Sequence, residues 1–276
     1  MPAPQSSLYK QLARQLFVAN AIKLPVSWSQ PNDQFSDAFD PSERIKPPNA
    51  PTNLFREATL NKYHVDAAKQ VSDQFGEFID GTCDAICGAI SNWFTAVTIQ
   101  GVIINAVVGI LTPGGVVGPP LTPLIMAQAP KKTPQQLKYS NVIATVFGNA
   151  WLQWQMGITG QLMYPAFAAV PSPVAPPMPN IPMPLIALPS PGEVALQGAA
   201  MKGLMIAQLA DPQAPHAAEL FDAICNGFAT PFNIMKASTL VTNVLGTGPV
   251  PTFAPPFVPV GPVVGGIGTG PPGCLT

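Results

Sequence analysis

The first hydrophobic pattern in the chain covers residues 5–21 and has the spacing of a helix. Leu8, Leu12 and Leu16 recur every fourth residue, which places them on one side of a helix. A lysine and an arginine fall on the other side. We therefore predict a short amphipathic helix whose leucines pack on the core of the protein.

A second amphipathic pattern runs from about Thr52 to Asp80. Its apolar side is formed by Ala68, Val71, Phe75 and Phe78. Charged residues occupy the remaining positions, as they do on the solvent side of a helix. The pattern predicts a helix that is buried on one side.

The longest apolar pattern follows directly and covers Thr82–Leu124. Its apolar residues keep helical spacing through Ile86, Ile90, Phe94, Val97, Gly101, Ile104 and Val108. The 19-residue window Trp93–Leu111 is uncharged and long enough to cross a bilayer. Polar residues interrupt this window, however, and no lysine or arginine flanks it closely. We predict a buried central helix, with a membrane span as the alternative.

Three short motifs predict where helices begin. Each places a capping Ser, Thr or Asp before a proline at the first helical position. They occur at Asp40-Pro41, Thr133-Pro134 and Ser190-Pro191. We expect the second of these helices to run to about Met163 and the third to about Leu209.

Proline and glycine dominate two further segments. Residues 165–191 hold ten prolines, which favours an extended polyproline II linker. Residues 247–276 hold eight prolines and the glycine-rich run 265–270. This run superficially resembles a dinucleotide-binding loop, but no helix follows it, so we exclude a phosphate site. We expect a flexible or extended apolar tail.

Short similarities indicate an internal repeat. The sequence of residues 84–87 recurs at 222–225, residues 107–109 resemble 244–246, and residues 118–120 resemble 254–256. The offset between the copies changes only from 138 to 137 to 136 residues. A duplicated unit over 82–124 and 220–260 explains this order, and chance similarity in a proline-rich chain is the alternative.

Together these patterns predict a mainly α fold: a helical, bundle-like core with long proline-rich straps. We expect five regions: an N-terminal helix and polar arm over 1–53, a helical unit with a strap over 54–124, a capped helix and linker over 125–191, a second helical unit with a strap over 192–260, and an apolar tail over 261–276.

Charge is scarce and unevenly distributed. Charged residues make up only 10% of the chain, with a net charge of −1, and 18 of the 27 lie in residues 1–84. Three long runs, Ala85–Pro130, Tyr139–Gly192 and Ala237–Thr276, contain none. A protein that binds nucleic acid needs positive charge for the phosphates, so we exclude nucleic acid as the main partner. The uncharged runs are expected to face the core, other subunits or lipid.

Few residues are suited to chemistry. Cys83 and Cys87 lie one helical turn apart and are expected to be small buried apolar residues, because His64 and His216 supply no zinc-binding pattern. We expect no cofactor and no metal. Few carboxylates follow residue 85, and none accompanies a nucleophile motif. We therefore expect a protein that is not an enzyme.

These features favour a structural subunit of a large multimeric particle, such as a virus-like or phage-tail-like assembly. Its partners would be copies of itself and other particle subunits. The residues expected to make these contacts are Trp93, Phe94, Trp151, Trp154, Pro255, Pro256 and Phe257. No secretory signal is recognisable, so we expect synthesis in the cytoplasm. The alternative is a membrane-inserting protein, such as a pore, a holin-like or a membrane-penetration component.

Overall fold

The computed structural model of the chain describes residues 3–20, 29–31, 55–57, 62–167, 174–212, 214, 216–250, 253–254, 258–259 and 262–276. Two compact units are formed, one by residues 1–19 with 79–276 and the other by residues 20–78. The larger unit contains helices and a sheet, and the surfaces discussed below belong to it.

In the smaller unit, strand β1 (Ser29–Pro31) pairs antiparallel with β2 (Phe55–Glu57). The unit also contains the first part of helix α2, which runs over Lys62–Ala96. The predicted helix start at Asp40 lies outside the described residues.

The helices of the larger unit pack on one another. They are α1 (Ser6–Ala19), the second part of α2, α3 (Leu121–Gln128), α4 (Pro134–Gly157), α5 (Gly198–Leu209) and α6 (Ala217–Ser238). Tyr9 and Ala13 form the buried side of α1, whereas the predicted leucines are half-buried. The Tyr9 hydroxyl donates a hydrogen bond to the carbonyl oxygen of Ile224 over 2.8 Å, which attaches α1 to α6.

A seven-stranded antiparallel sheet forms the other part of this unit. Its strands are β3 (Thr98–Asn105), β4 (Val108–Leu111), β5 (Val116–Val117), β6 (Gly160–Met163), β7 (Val174–Pro179), β10 (Leu245–Pro249) and β13 (Gly266–Gly270). Their order is β6-β4-β3-β13-β10-β7, and β5 pairs with β3. Two small ribbons pair β8 (Met183–Pro184) with β9 (Leu240–Val241) and β11 (Phe253–Ala254) with β12 (Val258–Pro259).

The prediction of a mainly α, bundle-like fold is therefore wrong, because the chain is mixed α/β. The error begins in the window Trp93–Leu111, where α2 ends at Ala96 and the chain continues as β3 and β4. Five of the eight residues of β3 are Thr, Val or Ile. These side chains are branched at Cβ, which favours an extended backbone over a helix.

The capping motif at Thr133 does begin a helix. The Thr133 hydroxyl accepts a hydrogen bond from the backbone nitrogen of Gln136 over 3.1 Å. The helix ends at Gly157, earlier than predicted, because residues 160–163 form β6 beside β4. At Ser190 the chain first forms a 3-10 helix over Pro191–Leu196, and only then α5.

Two segments expected to be a linker and a tail contribute strands to the sheet. The proline-rich segment supplies β7 at one edge, and the glycine-rich run supplies β13 between β3 and β10. The predicted helix followed by a strap is also not formed in the first proposed copy, and much of the second strap lies outside the described residues. Both α2 and α6 lead into strands instead, and residues 118–120 lead into α3.

The sheet curves around one side chain, Tyr164. Gly109 on β4 and Gly246 on β10 are three strands apart, which is about 14 Å in a flat sheet. A Cβ at either glycine would nevertheless lie within 2.8 Å of a carbon on the Tyr164 ring, on opposite sides of that ring. The backbone nitrogen of Ile181, just after β7, also donates to the carbonyl of Met163 on β6 over 2.7 Å. The inner face is therefore concave and the outer face convex.

Candidate interaction surfaces

The outer face of the sheet carries three isoleucines in a row. Ile103 on β3 lies directly between Ile110 on β4 and Ile267 on β13. Their exposed fractions are 48%, 45% and 60%, respectively. Because neighbouring strands are about 4.8 Å apart, this isoleucine row extends about 10 Å across the convex face.

The residues around the isoleucine row are apolar or uncharged. The same cross-strand line continues to Gln161 on β6 and Thr247 on β10. The exposed side chains of Val117, Met163 and Leu245 belong to further strands of the sheet. None of the seven strands contains Asp, Glu, Lys or Arg. The sheet thus presents an exposed apolar surface that no charge interrupts.

The edge of the sheet at β7 is less suited to pairing with another strand. Pro176, Pro177 and Pro179 lie in this strand. Proline has no backbone N–H, so it cannot donate to an added strand, and natural sheets use it to block their edges. This edge therefore offers few backbone donors to an added strand.

A second uncharged surface is a groove between α4 and α5, which we call the α4–α5 groove. Its volume is about 620 Å³. It is lined by Val146, Asn149, Ala150, Gln153, Pro191, Gly192, Val194, Ala195, Ala200, Leu204, Ala207 and Gln208. Val194 and Leu204 are 62% and 56% exposed, respectively. The groove is apolar, with three carboxamides as its polar groups.

The predicted interaction residues that the structure describes are all in the interior. Trp93, Phe94, Trp151 and Trp154 are at most 3% exposed. The rings of Trp93 and Trp151 meet edge to face, with centroids 5.2 Å apart, and Trp93 Nε1 donates to Gln155 Oε1 over 2.7 Å. These aromatic residues join α2 to α4 within one chain. Pro255, Pro256 and Phe257 lie outside the described residues.

The cysteines form no reactive site. All four are free and buried, which agrees with the expectation for Cys83 and Cys87. Burial raises the pKa of Cys87 to about 12 and that of Cys274 to about 11, and it also raises the pKa of Cys83 and of Cys225. Because the thiolate is the reactive form, these groups are inert near neutral pH.

Several charged residues of the larger unit form ion pairs. Lys10 contacts Asp84 at 3.0 Å, and Lys202 contacts Asp222 at 2.7 Å. Lys236 is buried, pairs with Glu193 and lies 4.7 Å from the centroid of the Phe232 ring. Glu193 and Asp222, two of the few carboxylates that follow residue 85, therefore each have a structural partner.

The described residues contain neither a metal-binding cluster nor a membrane-spanning helix. Within these residues, no group of three or more His, Cys, Asp or Glu side chains could hold a metal ion. No helix in this part of the chain has both the length and the apolar composition needed to cross a membrane.

Comparison with protein-family models, with curated proteins and with solved structures found no match for this chain.

Sequence reasoning missed both surfaces. The outer face depends on the strands between residues 98 and 111, which helical spacing had assigned to a helix. A period of two was visible in β13, where glycine alternates with Ile267 and Thr269. Such alternation is typical of a strand with one closely packed face.

Proposed function

We propose that this protein is a non-enzymatic structural subunit that assembles with copies of itself into a larger particle. The observation that carries the proposal is the outer face of the sheet, which is exposed, apolar and uncharged. Monomeric proteins rarely expose large continuous apolar patches, and such patches commonly mark interaction sites. Obligate subunit interfaces are also more apolar than transient ones.

The area of this face is consistent with a subunit contact. Six strands about 4.8 Å apart, each about five residues long, present about 490 Å² in projection. If this face is covered by an equal area of a partner, the two surfaces together lose about 1,000 Å² of contact with water. This total is near the lower limit for a specific interface.

The proposal is tested by measuring the molar mass of the purified chain with light scattering, without detergent, over a range of concentrations. We expect species that are multiples of the 28.9 kDa chain and that increase with concentration. Negative-stain images of the largest species would then reveal the form of the particle. A chain that stays monomeric at every concentration would contradict the proposal.

The membrane-inserting alternative has a different expected outcome. Flotation with lipid vesicles, followed by light scattering of the unbound fraction, separates the two functions. Recovery of the chain only with vesicles or detergent would favour membrane insertion. A detergent-independent assembly that does not float supports a structural subunit.

A further inference from the structure

We infer that the isoleucine row of one copy docks into the α4–α5 groove of a second copy, so that the subunits associate head to tail. The inference rests on the proposed self-assembly and specifies which two surfaces meet. It follows from the shape and the charge of these surfaces.

The shape of the sheet disfavours pairing of two isoleucine rows. The sheet curves around Tyr164, so Ile103 and its two neighbours project from a convex surface. Two convex surfaces meet over a small area. A convex surface that enters a groove can instead contact both walls of the groove. The α4–α5 groove is a concave surface on the same chain, and its volume of about 620 Å³ admits several side chains.

The walls of the groove are suited to apolar side chains. Small residues on α5, Ala200 and Ala207, allow a partner to approach the helix closely. Between them, the exposed Leu204 supplies apolar contact area. The opposite wall, on α4, offers the carboxamides of Asn149 and Gln153, which can each donate and accept hydrogen bonds. Gln161 and Thr247, which flank the isoleucine row on the next strands, carry uncharged polar groups that match these carboxamides.

The absence of charge favours another copy of this chain as the occupant. No Asp, Glu, Lys or Arg lines the groove, so a charged partner side chain would be buried there without a counter-charge. Burying an unpaired charge is strongly unfavourable. The isoleucine row belongs to a sheet whose strands contain no charge, and it meets this requirement.

Because the two surfaces differ, the contact is heterologous. Each copy would offer one isoleucine row and one groove, and successive copies would form a ring or an open helical assembly. A pair of identical surfaces would instead stop at a dimer. The size of the assembly follows from the angle between successive copies.

Two single variants test the inference. Ile103→Lys places a charge at the centre of the isoleucine row, and Leu204→Lys places one in the groove. Val18→Lys on α1 is the matched control, because Val18 is also apolar and is 76% exposed. We expect Ile103→Lys and Leu204→Lys each to be monomeric under conditions in which the control assembles like the unchanged protein. Far-ultraviolet circular dichroism and a thermal melt establish that each variant is folded, and Ile267→Lys is a second variant of the row.

Mixing the two variants gives the decisive result. Ile103→Lys retains an intact groove and Leu204→Lys retains an intact row, so one complete contact remains between them. An equimolar mixture at high concentration should therefore form a dimer of twice the mass of the chain, although each variant alone is a monomer. Light scattering and native mass spectrometry measure this directly.

Other outcomes are equally informative. If Leu204→Lys assembles like the unchanged protein while Ile103→Lys does not, two rows meet or the row meets another surface, and the inference is wrong. If both variants assemble normally, or if their mixture stays monomeric, it is also wrong, while self-assembly of the unchanged protein still stands. A monomeric unchanged protein would contradict the proposed function itself.

Discussion

The two faces of the seven-stranded sheet differ although they are built from alternate residues of the same strands. On β13, Gly266, Gly268 and Gly270 point inward and are buried, whereas Ile267 and Thr269 point outward and are exposed. On this strand the inner face therefore lacks side chains where the outer face has them. On most globular sheets the larger apolar side chains occupy the buried face.

The difference follows from what each face contacts. The inner face surrounds Tyr164, and a Cβ at Gly246 would lie 2.7 Å from the ring carbon Cε1. Glycine is needed at this position because the Tyr164 ring occupies the space that a side chain would fill. The outer face contributes little to the packing of the single chain, so its isoleucines are available to a partner. The two faces should accordingly respond differently to substitution.

The largest difference in the free energy of unfolding is expected between alanine substitutions at two neighbouring isoleucines. Ile104 is fully buried and Ile103 is 48% exposed. Ile104→Ala should lower the free energy of unfolding by about 2–5 kcal/mol, because it removes buried apolar atoms and leaves a cavity. Ile103→Ala should change it by about 0.5 kcal/mol or less, as for most surface substitutions. Urea denaturation of dilute, monomeric protein measures both values, and equal losses would contradict the assignment of the faces.

The same chemical change should have opposite signs at two glycines. At Gly246 a Cβ would collide with Ile104 and Tyr164, so Gly246→Ala should destabilise the chain by about 1–3 kcal/mol. At Gly203 on α5 a Cβ would have no atom within 4 Å. Gly203→Ala should stabilise the chain by about 0.5–1 kcal/mol, because alanine favours a helix. Thermal melts distinguish the two, and a stabilising Gly246→Ala would exclude close packing against the ring.

Removal of the Tyr164 hydroxyl should have a smaller effect. Among the described residues, this buried oxygen has no hydrogen-bond partner. Tyr164→Phe should therefore leave the free energy of unfolding unchanged or raise it by up to about 1 kcal/mol, since an unsatisfied buried hydroxyl is unfavourable. A loss above this size would indicate a hydrogen bond to the hydroxyl in solution.

The pH dependence of this variant provides a separate readout. Burial raises the pKa of Tyr164 from 10.0 to about 12. Between these values the unfolded chain releases the proton while the folded chain retains it, so stability is lost as the pH rises through this window. Tyr164→Phe should lose less stability than the unchanged protein between pH 10 and 12. Denaturation at several alkaline pH values measures the difference.

The smallest effect on stability is expected from a cysteine on the outer face. Ile267→Cys should react rapidly with a thiol reagent at pH 8, because Ile267 is 60% exposed. Cys274 is buried below Gly270 on the inner face, and its pKa of about 11 keeps it protonated. One equivalent of label should be taken up by the folded variant and none by the unchanged protein. Fast labelling of native cysteines would contradict the burial of the inner face.

Several parts of the fold could be predicted from local sequence. The capping motif at Thr133 marked the start of α4, because the cap hydrogen bond involves residues only three positions apart. The burial of Cys83 and Cys87 was also expected, because free cysteine packs as a small apolar residue. The candidate surfaces could not be found in this way, because their residues come from strands or helices that are far apart in the sequence.

The strands were hard to predict for two reasons. Apolar residues between 98 and 110 satisfy a helical period and, in part, a period of two, so spacing alone did not decide between them. In β13, Ile267 is the only large apolar side chain, so there was almost no hydrophobic pattern. Its place in the sheet depends on pairing with β3 and β10, which lie at least 160 and 17 residues away, respectively.

The sequence by itself determined where charge is absent and where α4 begins. Only the tertiary structure decided which side of each uncharged strand faces inward. The physical reason is that side chains alternate along a strand, so a shift in register by one residue exchanges the two faces. That register was set by the fit of Gly109, Gly246 and Gly268 around Tyr164, and it left the isoleucines on the outside.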